Sequence, residues 1–409
     1  MSARVVVSPH NVVSFPEGGG HFWAYMQHVQ GLRGIGCDVW WLEALAPGRD
    51  RSQDTRRARV LADRLSAHGM RDRLLLYDIA DDGTVSWLGR DGESVVRSAD
   101  LLVNFHYAIR PEMLERFDRT ALVDIDPGLL QLWISRGELA LAPHDVYFTT
   151  GATVGTPEAR FPDCGIDWVR IRPAVSLSDW AYAPESPHQR FTTVSSWWGD
   201  EWIRDHGGEV IENNKRVTFL EFAELPRLVG RRLELALCLG PKDAADMALL
   251  EERGWVIRHT AEVANTPAAY RAYVRDSLGE FSCAKPSCMM LQNAWVSDRT
   301  LCYLASGRPA VVQHTGVSPD LDGHDGLLRF STIDEAAAVI DDVTARYEHH
   351  RHAARALAEE LFDARKVAQA MLTAAIGNHA CTSPRSPHPT PPREAADPAH
   401  PVDDATRAR

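Results

Sequence analysis

Apolar residues along this chain fall into short uninterrupted runs separated by stretches with helical spacing. The first run, Val5-Val6-Val7, is followed by Glu17-Gly18-Gly19-Gly20-His21, a helical stretch over 23–33, and a second run within Gly36-Cys37-Asp38-Val39-Trp40-Trp41-Leu42. Apolar strands joined through a helix predict a βαβ unit opening a parallel sheet. Further strands are expected at 73–77, 101–105 and 121–125, with a helix at 55–68, so the first lobe reads as α/β. A segment rich in Pro, Asp and Gly, about 156–186, interrupts the alternation and carries the chain to a second lobe beginning near Phe191. There the pattern repeats: strands at 233–239, 255–258, around Phe281 and at 310–313, with helices at 245–253, 267–276 and 298–305. Helices at 333–347, 349–361 and 363–376 close the ordered part, and no repeat of fixed period is visible.

Length agrees with two lobes, since 409 residues exceed one ordinary core. Beyond Gly377 there are seven prolines between Pro384 and Pro401 and hardly any large apolar side chain, so 378–409 is expected to be disordered. Lys plus Arg number 44 against 56 Asp plus Glu, a formal charge of -12, which disfavours a nucleic-acid-binding face but leaves room for a local phosphate pocket. No stretch approaches a membrane span, and the N-terminus lacks the layout of a signal peptide. The seven cysteines show no zinc or redox spacing and read as reduced thiols, so a cytoplasmic protein is expected, with no membrane partner and a homodimer allowed.

The stretch richest in chemistry is Gly279-Glu280-Phe281-Ser282-Cys283-Ala284-Lys285, followed by the run from Val296 to Pro309. Ser297 is a natural helix cap, Gly307 a left-handed stop and Pro309 a barrier to continuation, so a short helix is bounded at both ends. Its first turn, with Ser297, Arg299 and nearby Lys285, has the means to bind a diphosphate. Equally, Ser297 only caps the helix and Arg299 only pairs with a carboxylate.

Other candidates are open in the same way. Gly19 and Gly20 let backbone approach a ligand, or form a plain turn. His21 accepts a proton from an acceptor, or satisfies a helix end. Asp124 and Asp126 supply a base and its orienter, or cap the turn at Pro127-Gly128. Ser196 and Trp197 face the cleft for stacking, or Trp197 belongs to the core. The patch His349-His350-Arg351-His352 reads as solvated surface.

The run from Gly279 to Gly316, ending Gln313-His314-Thr315-Gly316, resembles the GT-B glycosyltransferases, close to their spore-maturation-type and actinobacterial secondary-metabolite members. Tyr270-Arg271-Ala272-Tyr273, Gly326-Leu327-Leu328 and Asp124-Ile125-Asp126-Pro127-Gly128 extend the likeness over most of 1–376. The resemblance implies two Rossmann-like domains facing each other across a cleft: 1–185 on the acceptor side, 186–362 binding the nucleotide sugar, and 363–377 a helix crossing back to the first domain. It implies donor contacts at Glu280, Phe281, Ser282, Lys285, Ser297, Asp298, Arg299, Thr315 and Gly316.

This sequence departs from the family pattern at His314, at 286–294, and at Cys302, which stands near the place of a ribose-holding Glu. The implied activity is sugar transfer from a UDP, GDP or dTDP sugar to a small-molecule acceptor, in secondary metabolism such as antibiotic biosynthesis. No further cofactor is expected, and the letters Asp124-Ile125-Asp126 lie away from the donor block, so catalysis is expected without a metal. Three alternatives stay open: a thiol acceptor such as ergothioneine, as in lincosamide-type members; a nucleotide-sugar epimerase or hydrolase; and a non-catalytic nucleotide-binding protein.

Overall fold

The computed structural model describes residues 2–45, 50–183, 189–199, 202–204 and 210–377. The expected tail and the boundary at 185/186 lie outside them.

The first lobe is one sheet of eight strands: β1 (Arg4–Ser8), β2 (Asp38–Ala44), β3 (Leu74–Ile79), β4 (Val85–Leu88), β5 (Leu101–Asn104), β6 (Thr120–Asp124), β7 (Val146–Thr149) and β8 (Trp168–Arg170). Their order is β4-β3-β2-β1-β5-β6-β7-β8, and every pairing is parallel except β3 with β4. Val5, Val6 and Val7 are fully buried because helices cover both faces, which is why the strand reads as an unbroken apolar run.

In the second lobe, β9 (Phe191–Ser196) is followed by a hairpin of β10 (Trp202–Arg204) and β11 (Val210–Glu212). The sheet continues with β12 (Glu234–Cys238), β13 (Val256–His259), β14 (Gly279–Ser282), β15 (Ala310–Gln313) and β16 (Leu327–Phe330). The order β13-β12-β9-β14-β15-β16 is all parallel and matches the doubly wound nucleotide-binding arrangement. Strand order reverses at β1/β5 in one lobe and at β9/β14 in the other, and these switch points set the ligand-facing edges.

The lobes meet along a buried seam. Helix Gly19–Gly34 of the first packs against helices Pro267–Asp276 and Asp298–Ala305 of the second, and Trp23, Trp180, Tyr270 and Leu301 join one core. Polar contacts fix the approach: Trp23 Nε1 donates to Pro267 O at 2.9 Å, and Asn293 Nδ2 to Pro127 O at 2.7 Å. The last helix, Ala364–Ile376, lies on Gly19–Gly34 so closely that a Cβ on Gly31 would stand 2.2 Å from Ala364 O.

The triple glycine is not a free loop. Gly19 and Gly20 open the helix Gly19–Gly34, with Gly18 as its cap residue. The histidine patch is not all surface either: His350 is fully buried, with Nδ1 2.6 Å from Asp325 O.

Candidate functional site

At the second lobe's switch point, β14 carries Glu280 and Ser282 beneath the start of helix Asp298–Ala305. Ser297 caps that helix, its Oγ accepting from Arg299 N at 3.3 Å, and Gly307 ends it at φ +71. The cap turns Arg299 down onto the sheet. Its Nε donates to Glu280 Oε1 at 2.6 Å, Nη1 to Val194 O at 3.0 Å and Nη2 to the Ser282 hydroxyl. Burial opposes the guanidinium's charge, but the Glu280 carboxylate outweighs it and the pKa is raised. Glu280 therefore holds Arg299 in place, and both expectations for Ser297 and Arg299, cap and ion pair, are realised at one place.

Arg299 has cationic company. Lys285 precedes helix Pro286–Leu291 as its cap residue, and Lys215 is the first residue of helix Lys215–Glu221. Lys215 is buried, and this burial, followed by the charges of Arg299 and Lys285, lowers its pKa to about 7. Among the described residues no carboxylate forms a salt bridge with it, and its Nζ lies 5.8 Å from the Trp295 ring centre. Asn213, just before it, anchors the approach by accepting from Ser287 N at 2.9 Å. Three cations thus converge in a protein of formal charge -12. Sequence reading missed Lys215. Its signal was a lysine in the first position of a helix, where the helix dipole disfavours a cation.

Ser282, Ser297, Arg299 and Thr315 line one crevice together with Ala284 and Gln313. Gln313 Oε1 accepts from Ala284 N at 3.0 Å and Thr315 Oγ1 donates to Trp295 O at 2.8 Å, so the crevice is braced by its own polar groups.

Several expected donor contacts are placed elsewhere. Phe281 is 1% exposed and stacks on Phe330 in the core. Trp197 is fully enclosed, its Nε1 donating to Asp246 Oδ2 at 3.0 Å, while its neighbour Trp198 is 37% exposed with Arg216 and Lys242 against its ring. Ser196, by contrast, is exposed at the C-terminal end of β9, on the switch-point edge. Gly316, at φ +132, is pressed against chain 292–294, a Cβ there lying 2.5 Å from Gln292 O. Nor are Gly19 and Gly20 a ligand cradle: the space a Cβ would need holds Thr266 O at 2.4 Å for Gly19 and the Tyr270 ring at 2.8 Å for Gly20. The second lobe itself fills the glycine gap. Cys302 is 1% exposed and accepts from Gln27 Nε2 at 3.4 Å, which removes it from any ribose position.

The first lobe brings imidazoles to the same seam. His10 follows β1 and His106 follows β5, the strands flanking the switch point, and their rings lie 4.7 Å apart. His21, in the first turn of its helix, has Nε2 2.8 Å from His10 O. A carbonyl only accepts, so Nε2 carries the proton and Nδ1 keeps its lone pair. Burial lowers the pKa of His21, the His10 carbonyl and the Asp298 charge pulling the other way, which leaves a neutral imidazole near pH 7. His10 and His106 are lowered by burial too, His106 to about 4.

The two aspartates separate in role. Asp124 is fully buried and accepts from Gln131 Nε2, Thr149 Oγ1 and Asp126 N at 2.9, 2.8 and 3.0 Å. Burial raises its pKa to about 6. It braces the turn and does not reach the cleft. Asp126 is exposed. Asp298, half-buried at the helix start, is close enough to influence His21.

Among the described residues no helix is long and apolar enough to cross a membrane. No protein-family model matches the chain, and no curated protein matches it. Solved structures do. TarM aligns over 92% of this chain and 99% of its own at TM-score 0.57 and 10% identity. An alpha-glucosyltransferase in complex with UDP and a 13-mer DNA aligns over 91% and 99% at 0.55 and 11% identity. AviGT4, a glycosyltransferase involved in avilamycin A biosynthesis, aligns over 91% and 97% at 0.53 and 13% identity. At such identities the likeness establishes architecture: the chain has the two-domain GT-B fold, spanning nearly the full length of each of these structures.

Proposed function

We propose that the protein is a glycosyltransferase that moves a sugar from a nucleoside-diphosphate sugar to a small-molecule acceptor. The observation that carries this reading is the convergence of Lys215, Lys285 and Arg299 beside the start of helix Asp298–Ala305, with Lys215 buried and lacking a carboxylate partner among the described residues. Such a group is costly to keep charged in a dry site, and a diphosphate is the ligand class that repays the cost. Lys215 and Lys285 hold the leaving group. Arg299, pinned by Glu280 and Ser282, presents a fixed positive edge to it. Thr315 and Gln313 shape the wall of the crevice.

His21 faces this site from the first lobe as a neutral base, its Nδ1 lone pair directed by the bond from Nε2 to His10 O. Taking a proton from the acceptor lets the acceptor attack the sugar's anomeric carbon as the nucleoside diphosphate departs. No step needs a divalent metal, since side-chain cations already offset the leaving group's charge. The likeness in fold to AviGT4, together with the sequence resemblance to spore-maturation-type and actinobacterial secondary-metabolite members, supports a role in secondary metabolism. The alpha-glucosyltransferase solved in complex with UDP supports a nucleotide-sugar donor.

The test is a thermal-shift screen across UDP, GDP, dTDP and their sugars, followed by product analysis with oxygen, nitrogen and sulfur acceptors in excess chelator. Stabilisation by one nucleotide series and a glycosylated product are expected. Sugar release that is equal with and without acceptor would assign a hydrolase instead. Binding without turnover would assign a nucleotide-binding protein.

A further inference from the structure

Glu43, near the end of β2, is 1% exposed and has no part in the donor site. Its Oε1 accepts from Val13 N at 2.7 Å and its Oε2 from Trp41 Nε1 at 3.1 Å, and Val12 N is a further donor. Val12 and Val13 belong to the β1 connection that also carries His10, and Asn11 between them holds a left-handed φ of +62. Asparagine takes this conformation more readily than other non-glycine residues, and bonds on both sides of it set the turn here. The valines are fixed by Glu43. On the other side, the His10 carbonyl receives His21 Nε2, and the His10 backbone N–H donates to the Tyr25 hydroxyl oxygen.

We propose that Glu43 is a positioning residue for His21: through Val12 and Val13 it fixes the left-handed turn at Asn11, and so holds the His10 carbonyl that selects the His21 tautomer. This rests on the reading of His21 as the base. A buried acid without a cation is expensive, and an apolar side chain would fill the place more cheaply, so its retention needs a task that an apolar group cannot perform. Donating N–H groups need an acceptor at both oxygens, and only the carboxylate offers both.

Titration gives the brace a signature. Burial raises the Glu43 pKa to about 7, against the bonds from Trp41, Val13 and Val12. The titratable groups facing it are Tyr25 from helix Gly19–Gly34 and Tyr77 from β3, both phenols held above their usual range by burial and therefore neutral here. As pH falls through 7, one carboxyl oxygen becomes a donor, one of the N–H bonds is lost, and the turn loosens.

The experiment follows His21 directly. Nitrogen-15 imidazole shifts of the unmodified protein between pH 8 and 6 should show a single Nε2–H tautomer at pH 8 that becomes mixed with a midpoint near 7. Glu43→Gln should show the mixed state throughout, a kcat about tenfold below normal at pH 8 with a flat profile from 6 to 8, and a UDP affinity within twofold of normal. One His21 tautomer at every pH in the unmodified protein, or full kcat in Glu43→Gln, overturns the proposal. The tautomer readout needs no turnover, so it separates failure of this inference from failure of the glycosyltransferase reading.

Discussion

Arg299 and Glu280 form a fully enclosed ion pair at 2.6 Å, and the second carboxylate oxygen, Glu280 Oε2, has no hydrogen-bond partner among the described residues. Among the described residues, Arg299 is the only cation in salt-bridge contact with this carboxylate. Cutting Arg299 back to Ala strands a buried charge, which costs about 3–5 kcal/mol. Arg299→Ala is therefore expected to lose that much stability in urea unfolding, in addition to turnover. The double variant Arg299→Met, Glu280→Met should be more stable than Arg299→Ala alone, because the orphaned charge is gone. Equal or greater loss in the double variant would mean that the pair is not what holds this part of the sheet.

Gly19 makes a second, sharper distinction. Its absent side chain leaves room for two backbone carbonyls of the second lobe, Thr266 O and Ala264 O, and Gly19 N donates to the latter at 3.1 Å. Backbone cannot swing aside as a side chain does. Gly19→Ala should wedge the lobes and cost about 1–3 kcal/mol by overpacking. If the position were a phosphate cradle, nucleotide affinity would collapse while stability stayed normal. The expected pattern is the reverse: a lower melting temperature with nucleotide affinity reduced only in proportion.

That contrast shows what sequence can and cannot convey. Buried strands such as Val5-Val6-Val7 and a helix bounded by Ser297 and Gly307 are written in local chemistry, and they stand where the pattern puts them. A glycine reports that a Cβ is missing, not what occupies its place, so Gly19 and Gly20 read alike whether a ligand or Tyr270 lies opposite. Trp197 and Trp198 differ by one position at the end of a strand, where alternation sends neighbours to opposite sides, and a one-residue error of parity chose the buried ring. Arg299 with Glu280, and Lys215 with both lysine and arginine neighbours, are long-range meetings that only the fold brings about.

Lys215 also sets a pH dependence whose direction follows from linkage. Its pKa is about 7 in the folded protein against an ordinary lysine value of 10.5, so between those values the unfolded chain binds more protons and this residue's contribution to stability rises with pH. A bound diphosphate reverses the local balance by attracting the proton back. Binding above pH 7 must then take up a proton, and affinity should fall as pH rises from 7 to 8.5, by up to about tenfold per unit. Calorimetry of UDP binding at pH 8.5, in two buffers of different ionisation enthalpy, should report close to one proton absorbed per nucleotide. Lys215→Met should bind more weakly at pH 7, absorb no proton and show a flat pH dependence over this range. Proton uptake that survives the substitution would move the titrating group elsewhere in the cleft and remove Lys215 from the leaving-group site.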